Sequence, residues 1–456
     1  MNLQEKLAEV SKKKLLIGID VAKDTHWAMI GDIKGKELMS PFKFNNNKEG
    51  FNLLESKINS LGSFSNAEVM FGLEPTGLYW KPLGMYLKSK NYRLVLINPS
   101  YTYKTKELQD NSQTKNDKKD ARVIQTLVRE GKFLEPIILE GDYARLRRLV
   151  KARESLIKRS GALQSKIKGI VSEYFPELFS TCKTLKSMTL MKLLKECPFP
   201  EDICSLGENL FLKKVKIYGN NRFGISKAQR LWEVARVSIG IKEGCIEAKL
   251  ELKQLIEEYE LLEKQKKELE QLIKIITLRL PETRYLIKLP GIKYLSIAKL
   301  LSETGPLKNY GNSKDIEKLA GLNLVEDSSG KHISCKTISK RGRKLLRHCA
   351  YQIALSSIRN NPGIKYEYRY RVEIGKQNKI KALTAIAAKM LRIMFCLATK
   401  EREYDPNRVS KYYIYEWVRP VECPSGSLVK LGDDTVKKNI GHPLSVTLNE
   451  VMSGSR

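Results

Sequence analysis

Four acidic residues stand at positions where a metal-dependent phosphoryl-transfer site could form. Asp20 ends the apolar stretch LLIGID, and Glu74 ends a second stretch, EVMFGLE. Asp117 and Asp120 lie three residues apart at the start of DKKDARVIQTLV, a helical pattern that places both on one helix face. Converging carboxylates repel one another unless a cation lies among them, and their hard oxygens suit Mg²⁺. The sequence therefore predicts a magnesium site made of these four acids.

Such a site could break and join a phosphodiester, because two bound metal ions stabilise both the attacking and the leaving oxygen. A simpler interpretation applies to Asp117 and Asp120 taken alone, since acids at a helix N-terminus favourably oppose the helix dipole. Acids that end buried strands are harder to explain in that way. Considered together, the four placements favour catalytic acids.

A serine in a basic segment is the second feature that could do chemistry. Ser329 precedes Gly330 in a polar stretch predicted as a loop between helices. A serine alkoxide can attack a phosphodiester if cations stabilise the developing charge, although a Ser-Gly pair is more often a simple turn. The predicted nucleic-acid-binding residues around it are Lys331, Lys336, Lys340, Arg341, Arg343, Lys344 and Arg347. Such a run is typical of a phosphate track, with a solvated basic face as the alternative.

The overall charge agrees with a nucleic-acid partner. The 456-residue chain has 82 Lys and Arg against 51 Asp and Glu, a net charge of +31, with 42% hydrophobic residues. This composition indicates a folded protein that attracts a polyanion, and a membrane surface is the rival to nucleic acid. No stretch approaches the roughly 20 apolar residues of a membrane span, and the start lacks a signal peptide's apolar core. We expect a cytoplasmic protein with no membrane partner. The spacing of its cysteines and histidines does not favour zinc or disulfides.

The N-terminal region predicts a mixed sheet. Strands are expected at 15–20, 26–30, 41–44, 68–74 and 92–98, and helices at 48–61 and 78–90. A three-strand meander followed by alternating strands and helices describes an α/β, RuvC-like (ribonuclease-H-like) fold. The alternative is a doubly wound nucleotide-binding sheet, but no GxGxxG or GxxxxGK follows any strand.

The remainder is predicted to be helical. Long helices are expected at 144–174 and 248–276, the second with heptad spacing, which suggests a coiled-coil arm. An antiparallel hairpin within one chain and dimerisation between chains explain this spacing equally well. The predicted domains are the RuvC-like domain at 1–135, the arm at 136–280 with a helical insertion at about 180–245, a helical domain with the Ser-Gly loop at 281–406, and a tail at 407–456.

Several motifs occur together in a fixed order. They are IGIDVAKDTHWA, GLEPTGLYW, VLINPSYTYKT, KNDKKDARVI, LPGIKYLSIAKLLSETGP, LAGLNLVEDSSGKHISCKTISKRGRKLLRHCA and KALTAIAAKMLRIMFCL. Over roughly residues 14–406 the sequence resembles the DEDD transposases of bacterial insertion sequences, a family that includes Piv-type DNA invertases.

The resemblance implies more than the residues alone. It implies that Asp20, Glu74, Asp117 and Asp120 are the DEDD acids and that Ser329 is the nucleophile, with Ser328 adjacent to it. It also implies a RuvC-like domain, a coiled-coil arm and a helical transposase domain. Family members are recombinases that act on donor and target DNA, are guided by a structured noncoding bridge RNA, and work as tetramers in which the acids of one chain meet the serine of another. The long insertion departs from the compact family pattern.

Other interpretations stay open at this point. The chain could be a Piv-type invertase, a RuvC-like junction resolvase or nuclease in which water attacks, or an RNA-binding scaffold without activity. Tyr101 and Tyr103 are alternative nucleophiles, although stacking or packing is the more usual duty of tyrosines just beyond a strand.

Overall fold

The computed structural model describes residues 2–110, 117–185, 187–219, 223–326, 336–408, 421–422 and 428–429. By its contacts the chain divides into two compact units, Met1–Ile138 and Leu139–Arg456. Each unit has its own apolar core.

In its described residues, 2–110 and 117–138, the first unit contains a five-stranded sheet and five α-helices. The strands are β1 Leu15–Val21, β2 Thr25–Gly31, β3 Glu37–Asn45, β4 Val69–Leu73 and β5 Arg93–Leu96. The helices are α1 Leu3–Val10, α2 Lys48–Asn59, α3 Trp80–Ser89, α4 Pro99–Asp110 and α5 Asp117–Arg129, with a 3-10 turn at Asn66–Glu68.

The sheet has the strand order β3-β2-β1-β4-β5. Strands β1 to β3 form an antiparallel meander, whereas β4 runs parallel to β1 and β5 runs parallel to β4. This topology confirms the prediction of a ribonuclease-H-like mixed sheet. The parallel pairing matters for function because it places the carboxyl ends of β1 and β4 side by side.

The two faces of the sheet are covered by different helices. On one face, Ile17 and Ile19 of β1 pack with apolar residues of α2 and α3. On the other face, Leu16 of β1 and Met70 of β4 pack with α5. Because successive side chains of a strand point to opposite faces, even-numbered residues of β1 and β4 face α5.

The second unit is mainly helical. Its helices are α6 Gly141–Tyr174, α7 Leu178–Thr181, α8 Met188–Glu196, α9 Pro200–Leu206, α10 Glu208–Gly219, α11 Ile225–Arg236, α12 Cys245–Arg279, α13 Thr283–Leu286, α14 Tyr294–Thr304, α15 Ser313–Ala320, α16 Lys344–Asn360, α17 Pro362–Arg369 and α18 Lys379–Thr399. Shorter elements are the 3-10 turns Leu307–Asn309 and Pro406–Arg408, a π-helical turn Tyr370–Ile374, and the two-residue strands β6 Leu324–Val325, β7 Thr337–Ile338, β8 Val421–Glu422 and β9 Leu428–Val429.

The long helices α6 and α12 pair antiparallel within one chain. Arg153 lies 2.7 Å from the carboxylate of Glu270, and Gln164 donates a hydrogen bond to the Tyr259 hydroxyl at 3.0 Å. The residue number therefore rises along α6 as it falls along α12. The short helices α7 to α11 bury their apolar residues against this pair. The heptad spacing was compatible with a hairpin within one chain or with dimerisation. In this structure the heptad face of α12 packs against α6 of the same chain.

The C-terminal core contains α14, α16 and α18. The turn at Pro290-Gly291 packs against α16, since the Ser356 hydroxyl donates to the Gly291 carbonyl at 2.6 Å. Gly291 has φ +84°, and a Cβ there would lie 2.8 Å from the Ser356 carbonyl oxygen. This turn therefore serves to pack two helices closely together.

Helix α18 is long and apolar enough to cross a membrane by length and composition, with a mean hydropathy of 1.6 over its most apolar window. The expectation that no segment approaches such a length was wrong for these residues. Half of that window is buried inside the protein, where Leu383, Ile386, Met390 and Met394 form one face against the C-terminal core. This burial is typical of a core helix.

Candidate active site

Asp20 and Glu74 lie at adjacent positions on neighbouring strands. The parallel register pairs Ile19 of β1 with Leu73 of β4, and the Glu74 amide donates to the Ile19 carbonyl at 3.4 Å. Asp20 and Glu74 are the next residues along the two strand directions, and both are partly exposed. The alternation of side chains assigns both to the face covered by α5.

Helix α5 approaches this face closely because of a glycine. A Cβ at Gly18 would lie 2.2 Å from the Ala121 carbonyl oxygen and 2.4 Å from the Gln125 amide nitrogen. Both distances are much shorter than a van der Waals contact. Only glycine at position 18 therefore allows α5 to lie this close to β1. Asp120 directly precedes Ala121 and is 7% exposed.

The direction of α5 brings its N-terminus toward the acids. Gln125 also lies against Gly31, where a Cβ would be 2.9 Å from its side-chain nitrogen. Gly31 pairs with Leu16, near the start of β1. Since later residues of the helix contact the start of the strand, its first turn lies toward the end of β1, where Asp20 is found.

A cation–π contact supports this placement independently. Trp27 of β2 is the register partner of Asp20, and directly opposed residues project from the same face of an antiparallel pair. The ammonium group of Lys118, in the first turn of α5, lies 5.2 Å from the centre of the Trp27 ring, and Lys43 lies at the same distance. The first turn of α5 therefore lies beside Asp20.

Asp120 is paired with a cation in this structure. The Lys106 ammonium group of α4 forms an ion pair with its carboxylate. Asp117 is the first residue of α5, and its side chain lies outside the described part of the chain. Among the described residues, no group of three Asp, Glu, His or Cys side chains lies close enough to hold a metal ion. The fold thus brings three of the predicted acids to one edge of the sheet, although among the described side chains these three do not lie close enough together to hold a metal ion.

The donor set nevertheless fits a divalent cation chemically. Asp20, Glu74 and Asp120 offer hard carboxylate oxygens, which Mg²⁺ prefers over nitrogen or sulfur. The buried carboxylate of Asp120 needs a positive partner, which Lys106 now supplies. A bound metal ion would supply the Asp120 carboxylate with the same positive charge.

The predicted nucleophile falls in a segment bounded by a short hairpin. Leu324 pairs with Ile338 and Val325 with Thr337, and Lys336 lies 3.3 Å from the Glu326 carboxylate. The enclosed Ser328, Ser329 and Lys331 lie outside the described residues. The described flanks show that both ends of this segment are held side by side.

The predicted nucleic-acid-binding residues separate into two groups. Lys340, Arg341 and Lys344 are exposed and available to a polyanion, whereas the exposed Lys336 lies beside the Glu326 carboxylate. Lys340 has φ +52°, a left-handed conformation that is uncommon for a side-chain-bearing residue. These four residues present positive charge at and beyond the second strand of the hairpin.

Arg343 and Arg347 are engaged inside the protein. Arg343 donates to the Glu303 carbonyl and lies 3.6 Å from its carboxylate, and burial lowers the pKa of this guanidinium. Arg347 donates to the Ala320 carbonyl at 2.9 Å and to the Lys340 carbonyl at 3.1 Å. Arg347 therefore holds the backbone on either side of the hairpin, whereas Arg343 ties the basic run to α14.

Sequence analysis did not identify Lys106, Trp27 or Lys118 as neighbours of the acids. Lys118 could have been noticed, because it lies between Asp117 and Asp120. Lys106 could not have been recognised, since nothing in its local sequence distinguishes it from Lys104, the other lysine of α4. Trp27 is revealed only by strand register.

The mixed sheet with acids at adjacent strand ends defines the first unit as a ribonuclease-H-like domain. A transposase family model, DEDD_Tnp_IS110, matches residues 17–176, and a second, described as the transposase IS116/IS110/IS902 family, matches residues 283–369. No curated protein matches the chain. The two matched segments together cover more than half of the 456 residues. The chain belongs to the IS110 family of DEDD transposases, and it is a DNA transposase of an insertion sequence.

Family membership bears on the chemistry of the site. Nuclease domains of DEDD transposases generally depend on divalent metal ions. The first matched segment contains all four predicted acids, and the second ends beyond the Ser-Gly segment and the basic run.

Proposed function

We propose that this transposase cuts and rejoins DNA with an acidic magnesium site and a nucleophilic serine. Asp20, Glu74, Asp117 and Asp120 hold the metal, and Ser329 forms a covalent phosphoserine link that conserves the bond energy for rejoining. The observation that carries the proposal is the placement of Asp20 and Glu74 at adjacent ends of two parallel strands, on the face that α5 covers.

The residues of the chain have distinct duties in this proposal. When bound, magnesium stabilises the charge that develops on the oxygens of the phosphodiester. The carboxylates would hold the metal ion beside the scissile phosphate. The Ser329 hydroxyl gives its proton to one of these carboxylates as its oxygen attacks phosphorus, and the leaving oxygen of the DNA strand departs and takes up a proton from water. Lys336, Lys340, Arg341 and Lys344 neutralise neighbouring phosphates. Rejoining reverses this step, because a DNA hydroxyl displaces the serine oxygen.

The charge of the chain supports further partners. A net charge of +31 is enough for donor DNA, target DNA and a structured RNA, and we propose that a bridge RNA selects the DNA by base pairing. We also propose that the chain works as a dimer or tetramer in which the acids and the serine of different copies act on one phosphate. The family resemblance supports both proposals.

Two other activities would use the same fold. A Piv-type invertase would share the acids and the serine and would differ in its DNA substrates. A RuvC-like resolvase or nuclease would use the acids with water and would need no serine. Covalent attachment of protein to DNA distinguishes the resolvase from the other two.

The test is trapping on a suicide DNA substrate that carries a nick next to the cleavage site. The wild-type protein should form a covalent protein–DNA adduct only with Mg²⁺ present, and Ser329→Ala should form none. Ser328→Ala is the matched control and should retain the adduct. An adduct in Ser329→Ala, or cleavage by the wild type without any adduct, would overturn the serine mechanism.

A further inference from the structure

The helical insertion between the two long helices contains a cavity that the proposed chemistry does not use. Residues 180–245 contain twelve Lys and Arg and six Asp and Glu, so this stretch has a net charge of +6. The cavity, of about 310 Å³, lies between the segment after α7, the start of α8 and the start of α11. Its floor is apolar, with Cys182 and Leu190 both buried.

The rim of the cavity is made of groups that bind phosphate. Hydroxyls come from Thr181, Thr184 and Ser187, and ammonium groups come from Lys183 and Lys227. Ser187 caps α8, where its hydroxyl oxygen accepts from the Leu190 amide at 3.4 Å. The first amides of that helix have no intrahelical partner, and its dipole favours an anion at the same end.

The two cavity lysines differ from three other described lysines of the insertion, whose charges are each opposed by a carboxylate. These three are Lys195, Lys214 and Lys242, each within 4.0 Å of a carboxylate oxygen. In the described part of the chain, neither Lys183 nor Lys227 has a carboxylate within 4.0 Å, and both are exposed. Two positive charges therefore face one cavity without an anionic partner from the described protein.

An aromatic ring completes the lining. Phe223 is partly exposed at the cavity, and the Lys227 ammonium group lies 4.9 Å from its ring centre. A ring of this kind can stack on an unpaired base, and base stacking on aromatic side chains is a feature of single-strand recognition. A concave site admits one projecting nucleotide, whereas the bases of a duplex stay stacked inside it. The geometry therefore favours a single strand.

We propose that this cavity binds the phosphate of a single-stranded RNA nucleotide, with its base against Phe223. Lys183 and Lys227 neutralise the phosphate, and the hydroxyls and the α8 N-terminus donate hydrogen bonds to its oxygens. The inference rests on the proposed RNA partner and assigns part of its binding to the insertion. It concerns RNA capture and is independent of the acids and the serine.

The experiment measures lysine acetylation by mass spectrometry on the full chain, free and with a labelled single-stranded RNA, the same sequence as single-stranded DNA, duplex DNA, or inorganic phosphate. RNA should protect Lys183 and Lys227 at least 3-fold. Lys213 and Lys216, which are exposed on α10 outside the cavity, should change less than 1.5-fold. The variant K183A/K227A should weaken RNA affinity by about 5-fold in 0.1 M salt for each lost phosphate contact, and K213A/K216A is the charge-matched control.

Each outcome bears on the proposal. Protection by RNA with little protection by duplex DNA supports it. Equal protection by duplex DNA, equal protection by single-stranded DNA, or protection by inorganic phosphate alone would overturn the assignment to single-stranded RNA. RNA binding without protection of Lys183 and Lys227 would overturn the assignment of RNA binding to the cavity, while the proposal of an RNA partner would still hold. Absence of any RNA binding would overturn both, while adduct formation on DNA would still report separately on the serine chemistry.

Discussion

The amide of Glu74 hydrogen-bonds to the carbonyl of Ile19 at 3.4 Å and thereby extends the parallel register one step beyond the last strand pair. Because of that step, Glu74 lies beside Asp20 at the carboxyl edge of the sheet. The local sequence around Asp20 or Glu74 does not specify that the two residues lie next to each other. Their proximity follows from β4 pairing with β1 in a particular register, and the proposed metal site depends on it.

Gly18→Ala tests how the acids are held together. The added methyl would lie 2.2 Å from the Ala121 carbonyl, so α5 must move away from β1. We expect the unfolding free energy to fall by about 1–3 kcal/mol and DNA cleavage to be lost, because Asp120 moves with the helix. Calorimetry and a cleavage assay measure the two effects.

The control for this change is Gly161→Ala in α6. A Cβ at Gly161 meets no atom within 4 Å, and alanine in a helix interior is favoured over glycine by up to about 1 kcal/mol. This variant should be as stable as the wild type or more so, with normal cleavage. Unchanged stability and cleavage in Gly18→Ala would contradict the close approach of α5.

Lys106→Met tests whether Asp120 is a metal ligand. Without Lys106 the buried carboxylate loses its ion pair, and the metal-free protein should lose about 1–3 kcal/mol of stability. Millimolar Mg²⁺ should restore part of the lost stability, since a bound cation replaces the positive charge of Lys106. The variant should also bind Mg²⁺ more tightly than the wild type does. Thermal unfolding in EDTA and in Mg²⁺ provides the measurement, with exposed Lys104→Met as the control. Destabilisation that Mg²⁺ leaves unchanged would argue against Asp120 as a ligand.

Arg347 and Lys344 should behave differently although each substitution removes one positive charge. Arg347→Met deletes hydrogen bonds to Ala320 and Lys340 on the two sides of the hairpin. We expect at least 10-fold slower adduct formation at saturating DNA, with DNA affinity changed less than 2-fold. Lys344→Met should instead weaken affinity by roughly 8-fold at 0.1 M salt if it contacts one phosphate, with an unchanged saturated rate.

Titration of DNA affinity and single-turnover kinetics separate these two duties. If Arg347→Met weakened affinity as much as Lys344→Met and left the saturated rate intact, Arg347 would be a phosphate contact. The sequence prediction for that residue would then hold, and the internal hydrogen bonds would be incidental.

Acidification should destabilise the protein through the half-buried His348. Burial lowers the pKa of His348, and Lys299 and Lys344 lower it further, while Glu154 opposes them. The unfolded chain then binds a proton that the folded chain does not, so the unfolding free energy falls as the pH drops below about 6.5. The slope for one group is at most about 1.4 kcal/mol per pH unit. Burial also lowers the pKa of His26 in the first unit.

The comparison variant is His348→Gln, which has no proton to gain. Chemical unfolding between pH 7 and pH 5 should show a shallower loss of stability for this variant than for the wild type. An identical or steeper slope would contradict the assignment of that loss to His348.

Much of the first unit could be predicted because its signals are local. The stretches LLIGID and EVMFGLE are short, apolar and bounded by turn residues, which predicts buried strands, and the structure places β1 and β4 there. The order of the strands in the sheet could also be predicted, because a three-strand meander followed by a crossover connection is compatible with few topologies. The ion pair between Lys106 and Asp120 joins α4 to α5, and no sequence pattern encodes it.

The second unit shows where local signals fail. The heptad spacing in α12 predicts that its apolar face packs against another helix. It does not specify whether that helix is α6 or belongs to a second chain. In the basic run, charge alone could not separate the exposed Lys340 and Lys344 from Arg343, because the partner of Arg343 is Glu303 on a different helix. The length and apolar composition of α18 do not determine whether it is buried, because burial depends on its packing against α15 and α16.

The most direct test of the central claim is to map the covalent adduct in the wild type and in Asp20→Asn and Glu74→Gln. After trapping in Mg²⁺ and proteolysis, mass spectrometry should find the nucleotide on the peptide that contains Ser329. Both acid variants should still bind DNA but yield less than 1% of the wild-type adduct. A nucleotide on Tyr101 or Tyr103, or full adduct formation in both acid variants, would contradict the account.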